Sequence, residues 1–152
     1  MLPSTAERVP LNTIAEVNRR IRDATETRIV HFASHPEIID ARLVELDREW
    51  DIERVLETNA SVLALAGTAL GATVSKRFLI LPVLITAFLF QHALQGWCPP
   101  IPVLRRMGYR TAREIDIERV ALKILRGDFG PLLPANGNGE ERAKRALEIA
   151  RA

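Results

Sequence analysis

Apolar side chains recur every three or four residues in the first third of the chain, and this spacing predicts two amphipathic helices. The first helix is predicted to begin after Thr13, because Thr13-Ile-Ala-Glu16 has the pattern of a capping box. Its apolar face comprises Ile14, Val17, Ile21 and Ala24. The second helix follows another capping pattern, Ser34-His35-Pro36-Glu37, and its apolar face comprises Ile39, Leu43, Leu46 and Trp50.

Two interpretations of the second helix are open. Its opposite face is densely charged, which is typical of a helix on the surface of a soluble bundle. A helix of this kind also binds flat to a membrane, and Trp50 would then lie at the level of the lipid headgroups.

The pattern changes at residue 58, where apolar positions begin to cover all sides of the helix. Thr58 to Ser75 is a run of 18 residues without a formal charge, Phe78 to Leu104 is a run of 27, and only Lys76 and Arg77 separate them. Eighteen helical residues reach about 27 Å, close to the roughly 30 Å hydrocarbon thickness of a bilayer. Residues 58–98 are therefore predicted to form a transmembrane helical hairpin.

Small residues share one face of the first predicted span: Ala60, Ala64, Gly67 and Gly71. Gly67 to Gly71 is a GxxxG, a pattern that lets transmembrane helices approach closely. We expect this face to pack helices together and to join copies of the chain into a homo-oligomer. The alternative is that these are the ordinary small residues of a transmembrane helix.

The predicted fold class is all-α, a transmembrane two-helix hairpin with amphipathic cytoplasmic helices before and after it. After the hairpin, Thr111-Ala-Arg-Glu114 opens a helix that should stop at Gly127. The predicted segments are an N-terminal helical arm (1–57), the hairpin (58–98), a basic cytoplasmic segment with a helix (99–127), and a flexible linker with a short terminal helix (128–152).

Charge is distributed unevenly along the chain. Met1 to Thr58 carries eight arginines and twelve acidic residues, a net of −4, whereas Cys98 to Gly127 carries seven basic and three acidic residues, a net of +4. Arginines near the outer ends of the spans outnumber the two basic residues of the turn, which predicts both termini on the cytoplasmic side of a bacterial inner membrane. A basic segment beside an apolar span is typical of that membrane face, so no nucleic-acid partner is predicted. The predicted interface residues are Trp50, Trp97, Arg105 and Arg106.

Some polar side chains fall inside the predicted spans. They are Asn59 and Ser61 at the start of the first span, and Gln91, His92 and Gln95 at the end of the second. In an antiparallel hairpin they lie at one depth, so we expect hydrogen bonds between the two helices. A haem or metal role for His92 is the alternative, but a bis-histidine site would need a second copy of the chain, since His31 and His35 lie in the arm.

Cys98 is the only cysteine, so no disulfide or cysteine-rich metal site is possible within one chain. Its place at the end of a span predicts a thiol near the headgroups and within reach of water, with Arg105 and Arg106 as the nearest cations. A phosphatase-type or rhodanese-type loop needs arginine where this chain has Leu104, and prolines at 99, 100 and 102 remove backbone donors. A packing role is the default interpretation, and a reactive thiol is the alternative.

No P-loop, GxGxxG after a strand, GxSxG or HExxH occurs in the sequence. No catalytic residue, metal site or cofactor is therefore predicted.

The order of features from Asp51 to Thr111 resembles the YgaP-like inner-membrane transmembrane family. The elements that carry the resemblance are the glycines of the first span, Gly96-Trp97-Cys98-Pro99, and Gly108-Tyr109-Arg110-Thr111. The extra prolines and the Arg105-Arg106 pair depart from the family pattern, and the helical arms lie outside it. The resemblance implies an inner-membrane hairpin, often dimeric or fused to another domain such as a rhodanese, but no particular reaction.

The leading hypothesis is a non-enzymatic inner-membrane protein that contacts the lipid bilayer, self-associates, and presents its arms to a cytoplasmic protein. One alternative is a membrane redox or sulfur-handling protein that uses Cys98. Another is a soluble helical bundle whose core is the two apolar helices, although the arms offer little surface to cover them.

Overall fold

The computed structural model describes residues 5–130, 132 and 137–152. These residues form α-helices, two short 3₁₀ helices and turns, without a β-strand among them, which confirms the all-α prediction. The α-helices are α1 (Thr5–Leu11), α2 (Ala15–Ser34), α3 (Ile39–Arg48), α4 (Ile52–Thr73), α5 (Ile80–Gln95), α6 (Ile101–Met107), α7 (Ala112–Arg126) and α8 (Gly139–Arg151). The 3₁₀ helices are Pro36–Ile38 and Lys76–Leu79.

The chain forms two compact units. The hairpin unit consists of Met1–Ile14 and Trp50–Thr111, and the bundle unit consists of Ala15–Glu49 and Ala112–Ala152. The structure thus groups the predicted segments differently, because the N-terminal arm of residues 1–57 contributes to both units.

The hairpin unit is built on α4 and α5, which run antiparallel. α4 begins six residues before the uncharged run, since the Asp51 carboxylate accepts a hydrogen bond from the Arg54 N–H (2.7 Å) and caps the helix. The turn falls where the sequence predicts it: Ser75 caps the 3₁₀ helix Lys76–Leu79, and α5 follows directly. Pro82 lies in the first turn of α5, where a missing N–H costs little.

Two glycines of α4 lie against the start of the second helix in the same chain. A Cβ atom on Gly67 would lie 2.8 Å from Pro82 Cδ, and one on Gly71 would lie 2.5 Å from Leu79 Cδ2. The Gly67–Gly71 face is therefore already filled within the hairpin. The small residues thus admit the chain's own second helix, and the prediction that this face joins two copies of the chain stays a prediction.

A small core closes the open end of the hairpin. Its fully or nearly buried side chains are Val9, Ile52, Leu56, Cys98 and Ile101. α1 was not predicted, and it contacts the end of α5: the Arg8 guanidinium donates to the carbonyls of Leu94 and Ala93, and the Asn12 amide donates to that of Gln95 (3.1 Å). These donors satisfy carbonyls that a helix C-terminus leaves without partners.

The bundle unit packs α2, α3, α7 and α8 around a separate apolar core. α3 buries Ile39, Leu43 and Leu46 in this core, which favours the soluble interpretation of this helix over a position flat on a membrane. Trp50 lies beyond α3, in the hairpin unit. α7 begins after Thr111 and ends before Gly127 (φ 93°), as predicted.

The predicted stripe of α2 is only partly right. Ile21 is buried, but Ile14 is 58% exposed and Ala24 is also exposed. The buried face instead continues through Thr25, Ile29 and Ala33. Thr25 enters this face because its hydroxyl is satisfied by the Ile21 carbonyl (3.0 Å).

Candidate functional site

The outer surface of α4 and α5 is apolar and exposed. Exposed fractions are 73% for Leu65, 65% for Val83 and 66% for Phe90. Two helical stretches are long and apolar enough to cross a membrane: Pro36–Thr73, which includes α4, and Lys76–Gln95, which includes α5. Only 22% and 6% of their most apolar 18-residue windows are buried, whereas the core helix of a soluble protein would be mostly buried. This hairpin surface is the main unusual feature of the described chain.

Two aromatic side chains lie at the open end of the hairpin. Trp50 precedes α4 and Trp97 follows α5, so the antiparallel arrangement brings both to this end, where they are 43% and 36% exposed. The Arg54 guanidinium lies 4.4 Å from the centre of the Trp50 ring. Tryptophan with a nearby cation is typical of the boundary between lipid and water.

The two arginines predicted at this boundary differ. Arg106 is exposed, but Arg105 is fully buried and its Nη1 donates to the Tyr109 carbonyl (3.1 Å). α6 folds back on the open end of the hairpin, and Ile101 and Arg105, four positions apart, share its buried face. The prediction that Arg105 faces the headgroups is therefore wrong.

The polar side chains of the hairpin do not pair as expected. The Asn59 amide donates to the Val55 carbonyl of its own helix (2.8 Å), and the Gln91 amide donates to Gln95 Oε1 along α5 (3.4 Å). Ser61 is exposed. Asn59 and Gln91 thus each bind a residue four positions away on their own helix. The predicted hydrogen bonds between the two helices are absent among these side chains.

His92 is the buried polar residue of α5, with 7% of its surface exposed. Within the part of the chain that the structure describes, its Nδ1 atom has no hydrogen-bond partner. The charges that act on it are those of Arg8 and Glu57. The described residues contain no group of three or more metal-ligating side chains.

Cys98 is covered by the core of the hairpin unit. Only 3% of its surface is exposed, and burial raises the pKa of its thiol. It lies three residues beyond the second candidate span, but the predicted access from water is wrong, because α6 folds over it. A buried thiol with a raised pKa is a poor nucleophile, which supports the packing interpretation.

A cavity of about 330 Å³ lies between α4, α5 and the segment that follows α5. Its lining includes Leu56, Ala60 and Leu63 from α4, and Ile85, Phe88 and Leu89 from α5. Asn59 and Cys98 supply the polar atoms of the lining. Ligand pockets usually have volumes of about 300 to 1,000 Å³, so this cavity is at the low end of that range. The cavity also lacks the convergent polar groups that fix a ligand's orientation.

The residues that carry the family resemblance have structural roles here. Gly96 (φ 69°) ends α5 and Gly108 (φ 97°) ends α6, both in the left-handed conformation that favours glycine. A side chain on Gly96 would also collide with Arg8. Thr111 is fully buried directly before α7. These positions shape the open end of the hairpin and bring no reactive groups together.

Arg8 and Asn12 are the residues of this end that sequence reasoning missed. They contact carbonyls 83 to 86 positions away, and no local pattern indicates such a contact.

Comparison with protein-family models, with curated proteins and with solved structures finds no match for this chain. The YgaP-like resemblance therefore stays a prediction.

Proposed function

We propose that this chain is a small integral protein of a bacterial inner membrane that acts through protein contacts rather than by catalysis. In this proposal α4 and α5 span the bilayer, and the bundle unit is the cytoplasmic module that a protein partner binds. The observation that carries it is the exposed apolar surface of both helices, with 22% and 6% of their most apolar windows buried. Lipid is the solvent that such a surface requires.

The exposed surface argues against the soluble bundle. In that alternative α4 and α5 would form the core, but Leu65, Val83 and Phe90 all point outwards. The bundle unit has its own core on other helices. The YgaP-like resemblance, which implies an inner-membrane hairpin, agrees with the proposal.

The orientation follows from charge and connectivity. Two spans place the flanking segments on one side of the membrane, and Arg54 and Arg106 are exposed cations at the open end of the hairpin. The turn contributes Lys76 and Arg77. Arg110 follows α6 within the hairpin unit, and Arg113 begins the basic part of the bundle unit, so both termini lie in the cytoplasm in this proposal.

A cysteine-accessibility experiment tests the arrangement. In a Cys98→Ala background, Ser75→Cys places a thiol at the turn and Thr27→Cys places a matched, exposed thiol in the bundle unit. A membrane-impermeant maleimide added to intact spheroplasts should label Ser75→Cys and should label Thr27→Cys only after permeabilisation. The reverse labelling would overturn the orientation, and labelling of both without permeabilisation would overturn the hairpin.

A further inference from the structure

Two histidines lie side by side at the end of α2. His31 is in the last turn of the helix, and His35 follows its final residue, Ser34. Both are exposed, and their ring centroids are 4.5 Å apart with an angle of 30° between the planes. Nothing in the hairpin proposal uses this pair.

A hydrogen bond fixes the ring of His35. Its Nδ1 atom lies 2.9 Å from the His31 carbonyl oxygen. A carbonyl only accepts, so Nδ1 is the protonated nitrogen and donates to it, which leaves the lone pair of the neutral ring on Nε2. Metal-binding histidines are held in the same way, with one ring N–H on a backbone carbonyl and the other nitrogen free for the ion.

The spacing of the rings suits one shared ion. Metal–nitrogen bonds of about 2.0 to 2.1 Å on two neighbouring coordination positions place the ring centres roughly 4.5 to 5 Å apart. The observed 4.5 Å falls in this range, and with 30° between the ring planes a rotation of one exposed side chain would bring a nitrogen of each ring onto one ion. Known zinc sites with two histidines at positions i and i+4 hold both on one helix, whereas here His31 is helical and His35 follows the last residue of α2.

The geometry points to His31 and His35 as a two-nitrogen site for a divalent transition-metal ion. Imidazole suits copper, nickel and zinc, and the usual order of stability places Cu²⁺ above Ni²⁺ and Zn²⁺. No third protein ligand joins the pair among the described residues. The remaining coordination positions are therefore left to water or to a small donor from solution, as in metal sites that keep an open position.

Copper titration of the full-length chain in detergent tests this site. We expect one Cu²⁺ ion per chain in calorimetry, and an electron paramagnetic resonance spectrum with splitting from imidazole nitrogen. His31→Gln and His35→Asn should each weaken binding at least tenfold, because each leaves a single imidazole. Both side chains are exposed, so the variants should keep the helical circular dichroism of the parent.

His92→Gln is the matched control, because it removes the third histidine of the chain, which is buried in the hairpin unit. It should bind copper as the parent does. Unchanged affinity in the His31→Gln, His35→Asn double variant would assign the copper to another group, such as the N-terminal amine, and overturn the proposal. Failure of the parent chain to bind Cu²⁺ would overturn it as well.

Discussion

Buried charge in the bundle unit is concentrated at Glu118. This carboxylate is fully buried and accepts hydrogen bonds from Arg28 Nε and Nη2 (3.2 and 3.0 Å) and from Arg42 Nε (2.9 Å). Removing one member of a buried ion pair leaves an uncompensated charge, which costs more than the net value of the pair. The side chain of Arg28 is 34% exposed, so solvent screens part of the effect.

Glu118→Gln should therefore destabilise the bundle unit by about 2 to 4 kcal/mol. Glu45→Gln is the matched control, because Glu45 also accepts from Arg42 (2.8 Å) but its side chain is 66% exposed. It should cost less than about 1 kcal/mol. Urea unfolding of the full chain in detergent, followed by circular dichroism, measures both. Equal unfolding midpoints for the two variants would contradict a structural role for the buried carboxylate.

The thiol of Cys98 provides a pH-dependent prediction. A free cysteine has a pKa of about 8.5. Burial raises the pKa of Cys98, so its reactive thiolate should form only at a higher pH than that of a free cysteine. Maleimide labelling of the parent chain should be slow at pH 7 and should accelerate only in more alkaline solution. The exposed thiol of Thr27→Cys, in a Cys98→Ala background, provides the reference rate. Rapid labelling of Cys98 at neutral pH would instead support the redox alternative.

The contact between α4 and the start of the second helix is the element on which the hairpin unit depends. Gly67 and Gly71 allow this approach, because a Cβ on either residue would overlap Pro82 or Leu79. Dispersion between closely packed atoms, rather than a hydrophobic effect, holds transmembrane helices together. The spacing of the small residues therefore matters more than their polarity.

Gly71→Leu should force the two helices apart and cost about 1 to 3 kcal/mol of hairpin stability. Ala69→Leu adds a similar volume at an exposed position of α4 and should leave stability nearly unchanged. Unfolding by increasing SDS in mixed micelles compares the two variants. If Gly71→Leu were as stable as Ala69→Leu and only abolished dimers, the glycine face would join two chains, as the sequence first suggested.

The sequence predicts the helices of the hairpin well but predicts their surroundings poorly. The absence of charge between Thr58 and Ser75 and after Arg77 is a local property, so the two apolar helices and their turn can be predicted directly. Arg8 binds carbonyls 85 and 86 positions away, and the burial of Arg105 follows from the fold of α6. Such long-range contacts depend on tertiary packing, which periodicity does not report.

The whole molecule combines two units that differ in the exposure of their apolar side chains. The bundle unit buries its own apolar core, with Ile29, Leu46 and Leu122 at or near complete burial. The hairpin unit turns its apolar side chains outwards instead. The chain passes from one unit to the other near residues 14, 49 and 111.

Extraction of membranes from expressing cells tests this account most directly. Alkaline carbonate should leave the protein in the membrane pellet, and only detergent should release it. Lysine in place of Leu65 and Val83 should impair integration, since each lysine at the centre of a span costs about 2.5 to 3.5 kcal/mol, whereas Val44→Lys in the bundle unit should not. Recovery of the parent chain in the soluble fraction without detergent would contradict the membrane hairpin.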